Sequence, residues 1–415
     1  MRILLVAPTC DGTDIGEAWI AHQWARGLAE HHEVTLLTYH KRGRKPAADQ
    51  LDGVRVIEWV EPPFLGKAER LNSMLAPGYL AFYYQARRWI RRALARGEHF
   101  DVVHQPVPVA MRYPSPAAGL GLKMVIGPIG GGLDSPSAFK GAQDTDPWYV
   151  RLRQLDGLRL AYDPLLRRTY EQAACVLGIA PYVADKLSAL SLSRFEVMAD
   201  TALASAPPPP MDRIGRKGPV RALFVGRLVR SKGVRDVVRA MAKCTDLSLR
   251  LDVVGEGPER AACEALASTL GLTASITFHG RRPRNEVERF YGEADMFVFP
   301  SYREAGGSVV IEAMGHGLPL IVCDRGGPSA STHDSCAIRL PVTTPEALAE
   351  DVATAMRRLV MDKALRIAMG QAAHRHVQRT GLWEQRIARA NALYAELSLP
   401  ESAMEKVTSA ASLSS

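Results

Sequence analysis

The sequence PSYREAGGSVVIEAM at residues 300–314 carries more information about this protein than any other stretch of the chain. An apolar run, ADMFVFP at residues 294–300, leads into it and predicts a buried strand. A Gly-Gly-Ser turn then separates two glutamates, Glu304 and Glu312, that are eight positions apart. The pattern therefore predicts a strand, a tight turn and a helix, with one carboxylate on each side of the turn.

The predicted helix is short, and its first turn suits an anion. Ser308 is a preferred N-cap residue and Gly317 is a typical C-terminal stop, so the helix should span about residues 309–316. Unpaired N–H groups at a helix start attract anions, and the preceding glycines, Gly306 and Gly307, let a phosphate approach the backbone. The sequence predicts a phosphate at this end of the helix.

The two glutamates extend this phosphate site in opposite directions. Glu312 lies about 6 Å further along the helix axis, at about 1.5 Å per residue, which suits the hydroxyl groups of a ribose. Glu304 precedes the helix and can reach the far side of a diphosphate, where a sugar would lie. The segment thus predicts a sugar-nucleotide clamp, with these donor-binding residues: Glu304, Ala305, Gly306, Gly307, Ser308, Val309 and Glu312.

The same segment resembles the donor-site signature of a known family. Two glutamates with seven residues between them, followed by AM and then by GLPLIVCDRGGP at residues 317–328, resemble the retaining glycosyltransferases of family 4, of the group 1 type. The family usually has EGFG where this chain has EAGG at residues 304–307, so the aromatic residue of the motif is missing. The alternative is a chance pair of glutamates on an ordinary strand–turn–helix.

Length and composition limit the class of protein. With 415 residues, two domains are expected. The six cysteines form no Cys-x-x-Cys pair, which argues against a zinc site or a disulfide framework and favours a reducing compartment. The opening run MRILLVAP is too short for a signal peptide, and no 18-residue apolar stretch occurs. We expect a cytoplasmic protein, with no metal and no cofactor.

The net charge of +8 is concentrated in one basic and aromatic stretch, GYLAFYYQARRWIRR at residues 78–92. Aromatic residues beside arginines at helical spacing suit an amphipathic helix on an anionic membrane, and the resemblance favours this interpretation. The alternative is a surface helix whose aromatic side lies in the core. The residues assigned to the membrane surface are Tyr83, Arg87, Arg88, Trp89, Arg91 and Arg92.

Short apolar runs alternate with helical segments along the whole chain, which predicts parallel sheets with helices on both faces. Four prolines at 207–210 indicate a linker. The resemblance implies the GT-B fold, an α/β arrangement of two doubly wound, Rossmann-like domains facing each other across a cleft. The predicted units are an acceptor-binding domain (1–200), a linker (201–218), a nucleotide-sugar-binding domain (219–381), a closing helix that packs back on the first domain (382–399) and a disordered tail (400–415).

Two cations follow the first predicted strand of the second domain. In the sequence FVGRLVRSKG at residues 224–233, Gly226 allows close backbone approach, and Arg227 and Lys232 lie at one strand end. An arginine and a lysine together stabilise the negative charge on a departing diphosphate without a metal. The resemblance assigns them this role, and solvated loop charges are the alternative. With Glu304 they are the predicted catalytic residues.

Two further turns are expected beside the nucleotide. The sequence VVGEGP at residues 253–258 lacks the third glycine of a dinucleotide fingerprint, and the resemblance instead places Gly255 next to the nucleotide. FHGR at residues 278–281 resembles the loop that borders the nucleobase, which adds Gly280 and Arg281 to the donor-binding residues. His279 is expected to be structural.

Two glycine-containing loops of the first domain are expected on the acceptor side. They contribute Gly12 and Gly16, from DGTDIGE, and Gly130 and Gly131, from IGPIGGG. Many family members have a histidine near the second loop that contacts the transferred sugar, and this chain has none there. His104 is expected to pack in the core.

The resemblance implies a retaining, metal-independent glycosyltransferase with a nucleotide-sugar donor. A UDP-sugar is expected because uridine is the family's commonest nucleotide. A membrane lipid or lipid-linked glycan is the expected acceptor, with a small soluble acceptor such as an aminocyclitol as the alternative. A sugar-nucleotide epimerase on the same fold is a second alternative. Nucleic-acid binding would explain the charge but not the paired glutamates.

Overall fold

The computed structural model describes residues 1–61, 77–139, 155–206, 208 and 216–399. In the first domain the strands are Arg2–Val6 (β1), Glu33–His40 (β2), Val54–Val60 (β3), Val102–Gln105 (β4), Met124–Ile129 (β5), Ala173–Gly178 (β6) and Phe195–Val197 (β7). They form one parallel sheet in the order β3-β2-β1-β4-β5-β6-β7. The helices around it are Glu17–Ala29 (α1), Pro77–Ala95 (α2), Leu155–Tyr162 (α3), Pro164–Glu171 (α4) and Tyr182–Lys186 (α5).

The second domain repeats this plan. Its strands are Val220–Val225 (β8), Leu249–Val254 (β9), Ile276–Gly280 (β10), Met296–Phe299 (β11), Leu320–Cys323 (β12) and Ala337–Leu340 (β13). They form a parallel sheet in the order β10-β9-β8-β11-β12-β13. The helices are Val234–Ala242 (α6), Arg260–Thr269 (α7), Arg284–Glu293 (α8), Ser308–Gly315 (α9), Gly326–Ala330 (α10), Pro345–Met361 (α11), Lys363–Thr380 (α12) and Trp383–Ser398 (α13).

Both sheets are covered on two faces, as continuous apolar strands require. In β1, Leu4 and Val6 belong to the apolar cluster on one face, while Ile3 and Leu5 belong to the cluster on the other. The second domain has one large core of its own. This arrangement confirms the prediction of two doubly wound α/β domains. Two strands, β7 and β13, were not predicted.

The last helix, α13, packs against α1 of the first domain. Trp383 makes edge-on ring contacts with Trp19 and Trp24, at 5.8 and 5.7 Å between centroids. Deeper in the fold, the Tyr394 hydroxyl donates to Nδ1 of His104 at 2.6 Å, and Nε2 of His104 donates to the carbonyl oxygen of Gly127 at 2.6 Å. Burial lowers the pKa of His104 to about 4, so it is a neutral core residue, as expected.

A segment after β5 connects the two domains. Phe139 is buried in the core of the second domain, where its ring lies 4.3 Å from that of Tyr302. Beside it, Arg303 donates to Oγ of Ser135 at 3.1 Å. The first domain is therefore anchored on the second at the cleft.

Helix α2 has one buried face and one exposed face. Tyr83 is only 4% exposed, and Arg87 donates to the carbonyl oxygens of residues 116 and 118, so the assignment of both to a membrane surface is wrong. Trp89 is half-buried against Phe100. Five exposed residues of the other face are called the α2 surface below: Leu80, Tyr84, Arg88, Arg91 and Arg92.

Among the residues that the structure describes, no helix is both long and apolar enough to cross a membrane. The predicted disordered tail at 400–415 and most of the proline-rich part of the linker lie outside the described residues.

Candidate active site

Three of the predicted glycines lie side by side at the carboxyl ends of β8, β9 and β10. The Gly255 amide donates to the Gly280 carbonyl at 2.9 Å, and the Gly226 amide donates to the Val254 carbonyl at 3.0 Å. Gly255 has φ +144°, and a Cβ atom there would lie 1.9 Å from the Gly226 oxygen. The backbones can be this close only without side chains, which leaves the strand ends open toward the cleft.

The loop before α9 is held by a neighbouring turn. The Gly327 amide donates to the Glu304 carbonyl oxygen at 3.1 Å. Gly307 has φ +89° and is the N-cap of α9, which begins at Ser308. The predictions of Ser308 as N-cap and of a helix from 309 to 316 are therefore wrong by one residue, because the left-handed conformation of Gly307 ends the turn one position earlier.

Lys232 and Glu304 form an ion pair in the cleft, with side chains that are 20% and 17% exposed. The Lys232 ammonium also lies over the ring of Phe299, at 5.7 Å from its centroid. Lys232 ends a short helical turn that begins at Arg230, whose guanidinium is paired with Asp236. A lysine and the predicted sugar-binding glutamate thus neutralise each other when no ligand is bound.

Arg227 is exposed at the end of β8, beside Gly226. No hydrogen bond or ion pair of its guanidinium is found within the described ranges. Of the three predicted catalytic residues, Lys232 and Glu304 form a pair, and Arg227 faces solvent at the end of β8.

Glu312 lies one turn into α9 and accepts a hydrogen bond from the Tyr291 hydroxyl at 3.0 Å. Burial raises its pKa above the usual range. The Tyr291 ring is stacked on His316, with 5.3 Å between centroids. This carboxyl group opens on a small pocket between the domains, lined by residues from α1, the interdomain crossing, α8 and α9: Trp19, Thr201, Leu203, Arg284, Ser308 and Glu312.

In the loop expected beside the nucleobase, His279 is held by side-chain contacts and Arg281 is exposed. His279 is hydrogen-bonded through Nε2 to Asp252 at 2.6 Å, and its ring packs on Phe290 at 4.4 Å. It is therefore a structural residue, as expected. Arg281 follows Gly280 and is exposed.

The glycines assigned to the acceptor side lie in two loops of the first domain. The Gly12 amide donates to the Gln50 side chain at 2.9 Å, and Gly16 has φ +68° at the start of α1. The Gly131 amide donates to the Tyr182 hydroxyl at 3.2 Å. Gly130 packs so closely on Ile179 that a Cβ atom would lie 2.0 Å from it. Their contact with an acceptor stays a prediction.

Comparison with known proteins agrees with this geometry. The profile of a family described as "Glycosyl transferases group 1" matches residues 212–376, the part of the chain that contains the strand-end glycines, Lys232 and both glutamates. The profile described as "Glycosyl transferase 4-like domain" matches residues 16–199. The chain belongs to the group 1 glycosyltransferases.

Two curated relatives of this group 1 protein illustrate the range of acceptors. The D-inositol 3-phosphate glycosyltransferase of Corynebacterium jeikeium is 30% identical over 239 residues, 55% of this chain and 54% of the relative. The lipopolysaccharide core biosynthesis glycosyltransferase LpsD of Rhizobium meliloti is 35% identical over 202 residues, 48% of this chain and 56% of the relative. The chain thus matches about half the length of each relative.

Solved structures share the fold over nearly the whole chain. Sucrose-phosphate synthase from Thermosynechococcus elongatus aligns with a TM-score of 0.66 at 21% identity and covers 95% of this chain and 98% of its own. The Anabaena protein Alr3699/HepE, solved in complex with UDP and glucose, aligns with a TM-score of 0.59 at 14% identity and covers 94% and 99%. The fold of this group 1 protein is GT-B.

Two further groups, Asp200 and Tyr182, lie near Glu304 and were not predicted from the sequence. Burial raises the pKa of the Tyr182 hydroxyl to about 12, and the nearby carboxylates of Asp200 and Glu304 act in the same direction. Asp200 follows the three-residue strand β7 and precedes the linker, and no local pattern marks it. The one sequence signal for Asp200 is Gly306. The φ of Gly306 is not in the left-handed region, so the backbone does not require glycine there, and the missing side chain leaves room for a neighbour.

Within the described residues, no group of three histidine, cysteine, aspartate or glutamate side chains has an arrangement that could hold a metal ion.

Proposed function

We propose that this protein is a retaining glycosyltransferase that transfers a sugar from a nucleoside-diphosphate donor, without a metal, to an acceptor in the cleft. The observation that carries the proposal is the Lys232–Glu304 pair, in which Glu304 lies in the loop just before α9, with Glu312 one turn into that helix. A cation and two carboxylates thus flank one anion-binding helix start. This order matches the diphosphate, sugar and ribose of a sugar nucleotide.

The diphosphate binds to the two cations at the end of β8. Arg227 and Lys232 lie within one loop, and the start of α9 faces the same space with its unpaired N–H groups. As the bond to the sugar breaks, negative charge grows on the leaving oxygens, and fixed cations stabilise that charge. Two cations and a helix start supply this stabilisation without a metal.

Ligand binding rearranges the ion pair. In the free protein the Lys232 ammonium is neutralised by the Glu304 carboxylate. An arriving diphosphate attracts Lys232, and Glu304 is then free to accept hydrogen bonds from hydroxyl groups of the sugar. Glu312, one turn along α9, accepts hydrogen bonds from the ribose.

The transferred sugar keeps its anomeric configuration in the proposed mechanism. The leaving group departs and the acceptor attacks on the same face of the sugar, with a phosphate oxygen of the leaving group taking the acceptor proton. The two glutamates then bind rather than exchange protons. This agrees with Glu304 being paired with a cation in the free protein.

A UDP-sugar is the proposed donor. The GT-B protein Alr3699/HepE was solved in complex with UDP and glucose, which supports a uridine nucleotide at the matching cleft. The inward-facing pocket between Trp19 and Glu312 adjoins the ribose position and is the place for the nucleoside.

A membrane lipid or lipid-linked glycan is the proposed acceptor. The α2 surface presents Leu80 and Tyr84, 51% and 65% exposed, directly beside three exposed arginines. Exposed apolar side chains next to arginines suit an anionic bilayer surface. The relative LpsD, named for lipopolysaccharide core biosynthesis, supports an acceptor of this class.

A small soluble acceptor is the second candidate. It is favoured by the relative named D-inositol 3-phosphate glycosyltransferase, which matches over a larger share of this chain. The two candidates differ in whether lipid stimulates turnover.

The test is release of nucleoside diphosphate by the purified protein from a panel of UDP-, GDP- and ADP-sugars, with EDTA present. One arm contains bacterial lipid extract and the other does not. Release from UDP-sugars that rises with the extract is the expected result. Release that is indifferent to lipid favours a soluble acceptor, and release from no donor would refute the proposed activity.

A further inference from the structure

Asp200 is fixed at the point where the chain leaves the first domain. The preceding strand β7 is extended by a hydrogen bond from the Met198 amide to the Gly178 carbonyl at 2.8 Å. Three residues after Asp200, Leu203 pairs with the start of α13: its amide donates to Gly381 at 2.8 Å, and its carbonyl accepts from Trp383 at 3.0 Å. Asp200 is therefore held on both sides by backbone hydrogen bonds.

The Asp200 carboxylate lies against the donor loop of the other domain. A Cβ atom built on Gly306 would lie 2.8 Å from one carboxylate oxygen of Asp200 and 3.3 Å from the other. Gly306 does not have a left-handed φ, whereas Gly307 does. Position 306 is thus a glycine because Asp200 occupies the adjoining space. The aromatic residue that the resembled motif has at this position would collide with that carboxylate.

This carboxylate has no cation within ion-pair distance among the described residues. A positive group that acts on it is the buried guanidinium of Arg386, which lowers its pKa but donates its hydrogen bond to the Thr201 carbonyl at 3.2 Å. Burial and the Glu304 carboxylate both raise the pKa of Asp200. The carboxylate accepts hydrogen bonds from the backbone amides of Asp200 and Thr201, but no cation balances its charge. An uncompensated charge on a half-buried carboxylate costs stability, so its place beside a ligand loop indicates a ligand that donates a hydrogen bond to it.

Two other polar groups face the same space. Glu304 acts electrostatically on both Asp200 and Tyr182. The Tyr182 hydroxyl accepts from the Gly131 amide, which leaves its proton for another acceptor. Two carboxylates and a hydroxyl around one space match a ligand that carries several hydroxyl groups.

We propose that Asp200 accepts a hydrogen bond from a substrate hydroxyl group and thereby makes the cleft specific for a polyol at this position. The inference rests on the proposed function and adds a specificity-determining residue to it. The hydroxyl group belongs either to the transferred sugar or to the acceptor. A carboxylate in the space of an aromatic side chain favours a hydroxyl group over an apolar face of the ligand.

The first experiment compares Asp200→Asn and Asp200→Ala with wild type, and uses Asp185→Asn as the control. Asp185 is an exposed carboxylate of α5 in the same domain. The donor is the panel sugar nucleotide that wild type hydrolyses fastest. Calorimetry gives the Kd of that donor and of its free nucleoside diphosphate, and turnover is measured with water and with lipid extract as acceptor.

Loss of a hydrogen bond to a charged group should raise the Kd or the KM of the ligand that makes it by about 10- to 100-fold. If the hydroxyl belongs to the sugar, both variants weaken donor binding by this factor and leave nucleoside-diphosphate binding unchanged. If it belongs to the acceptor, donor binding and hydrolysis are retained, and the KM for the acceptor rises by this factor. Asp185→Asn should behave as wild type.

If wild type and both Asp200 variants have the same donor Kd and the same acceptor KM, with donor hydrolysis intact, the role of Asp200 is overturned and the proposed function stands. Hydrolysis of no donor by wild type would overturn both.

A second experiment tests the contact without any ligand. Gly306→Ala should lower the Tm in the wild-type background, because the new methyl group meets the Asp200 carboxylate. In the Asp200→Ala background the same change should cost much less, since the three atoms nearest to that methyl position all belong to the Asp200 carboxylate group. Equal losses in the two backgrounds would contradict the placement of Asp200 beside the donor loop.

Discussion

Replacement of Glu304 by glutamine should affect binding of the sugar and binding of the nucleotide differently. The substitution keeps the size of the side chain and removes its charge. In the free protein Glu304 neutralises Lys232, and both side chains are about one-fifth exposed. In the proposed donor complex Glu304 instead accepts hydrogen bonds from the sugar, so the variant loses a contact that only the sugar-bound state uses.

The expected magnitudes differ for the two halves of the donor. A hydrogen bond to a charged group contributes about 1.5–3 kcal/mol, which predicts a fall in kcat of about 10- to 150-fold. Binding of UDP should not weaken, because the glutamine no longer competes with the diphosphate for the Lys232 ammonium. We expect the variant to bind UDP at least as tightly as wild type does.

The assay combines nucleotide release from the best panel donor with calorimetry of UDP binding. The control is Glu350→Gln on α11, which removes an exposed pair with Lys243 and should change neither quantity, because exposed pairs contribute about 0–1 kcal/mol. A loss of UDP affinity comparable to the loss of turnover would refute the assignment of Glu304 to the sugar.

Three further predictions follow from single features of the structure. Because burial raises the pKa of Glu312 above its ordinary 4.5, its ionisation costs the folded state stability as pH rises, so the Glu312→Gln variant should gain Tm over wild type at pH 8, and the gain should shrink toward pH 4.5. A Tm gain that does not vary with pH would contradict this. Gly255→Ala should destabilise by about 3 kcal/mol or more in denaturant melts, because its Cβ meets the Gly226 oxygen, whereas Gly218→Ala, also at positive φ but in open space, should cost less; equal costs would count against the packed strand ends. Replacing the three arginines of the α2 surface, Arg88, Arg91 and Arg92, by glutamate should abolish sedimentation with anionic liposomes and spare UDP binding. Retained sedimentation would exclude this surface as a membrane site.

The sequence was sufficient for the fold and for the parts of the site that are local. Continuous apolar strands such as β1 and β11 predict parallel sheets covered on both faces, and the structure confirms the sheets. The ion pair between Lys232 and Glu304 joins two motifs that were each visible locally, because parallel strands bring their carboxyl ends to one edge.

The missed elements are those whose pattern is short or mixed. Strand β7 has three residues, and in β13 an arginine alternates with apolar residues, so neither shows the apolar run on which the other strands were predicted. In α2 the buried face follows ordinary helical spacing, and Tyr83 belongs to it. An excess of arginine at neighbouring positions hid that periodicity.

The contact between Asp200 and Gly306 could not be predicted from either segment alone. Asp200 precedes the linker in one domain, and Gly306 lies in a loop of the other. Only the relative position of the domains brings them together. In the sequence, such a contact is marked only by a glycine at a position where the backbone conformation would allow any residue.

The measurement that tests the central claim most directly is nucleotide release by wild type and Lys232→Gln, side by side, with EDTA and the best panel donor. If catalysis occurs in this cleft and needs no metal, wild type should release the nucleotide, and the variant should do so about 100-fold more slowly while still unfolding in one cooperative transition. Equal rates for the two proteins, or a wild-type rate abolished by EDTA, would contradict the account.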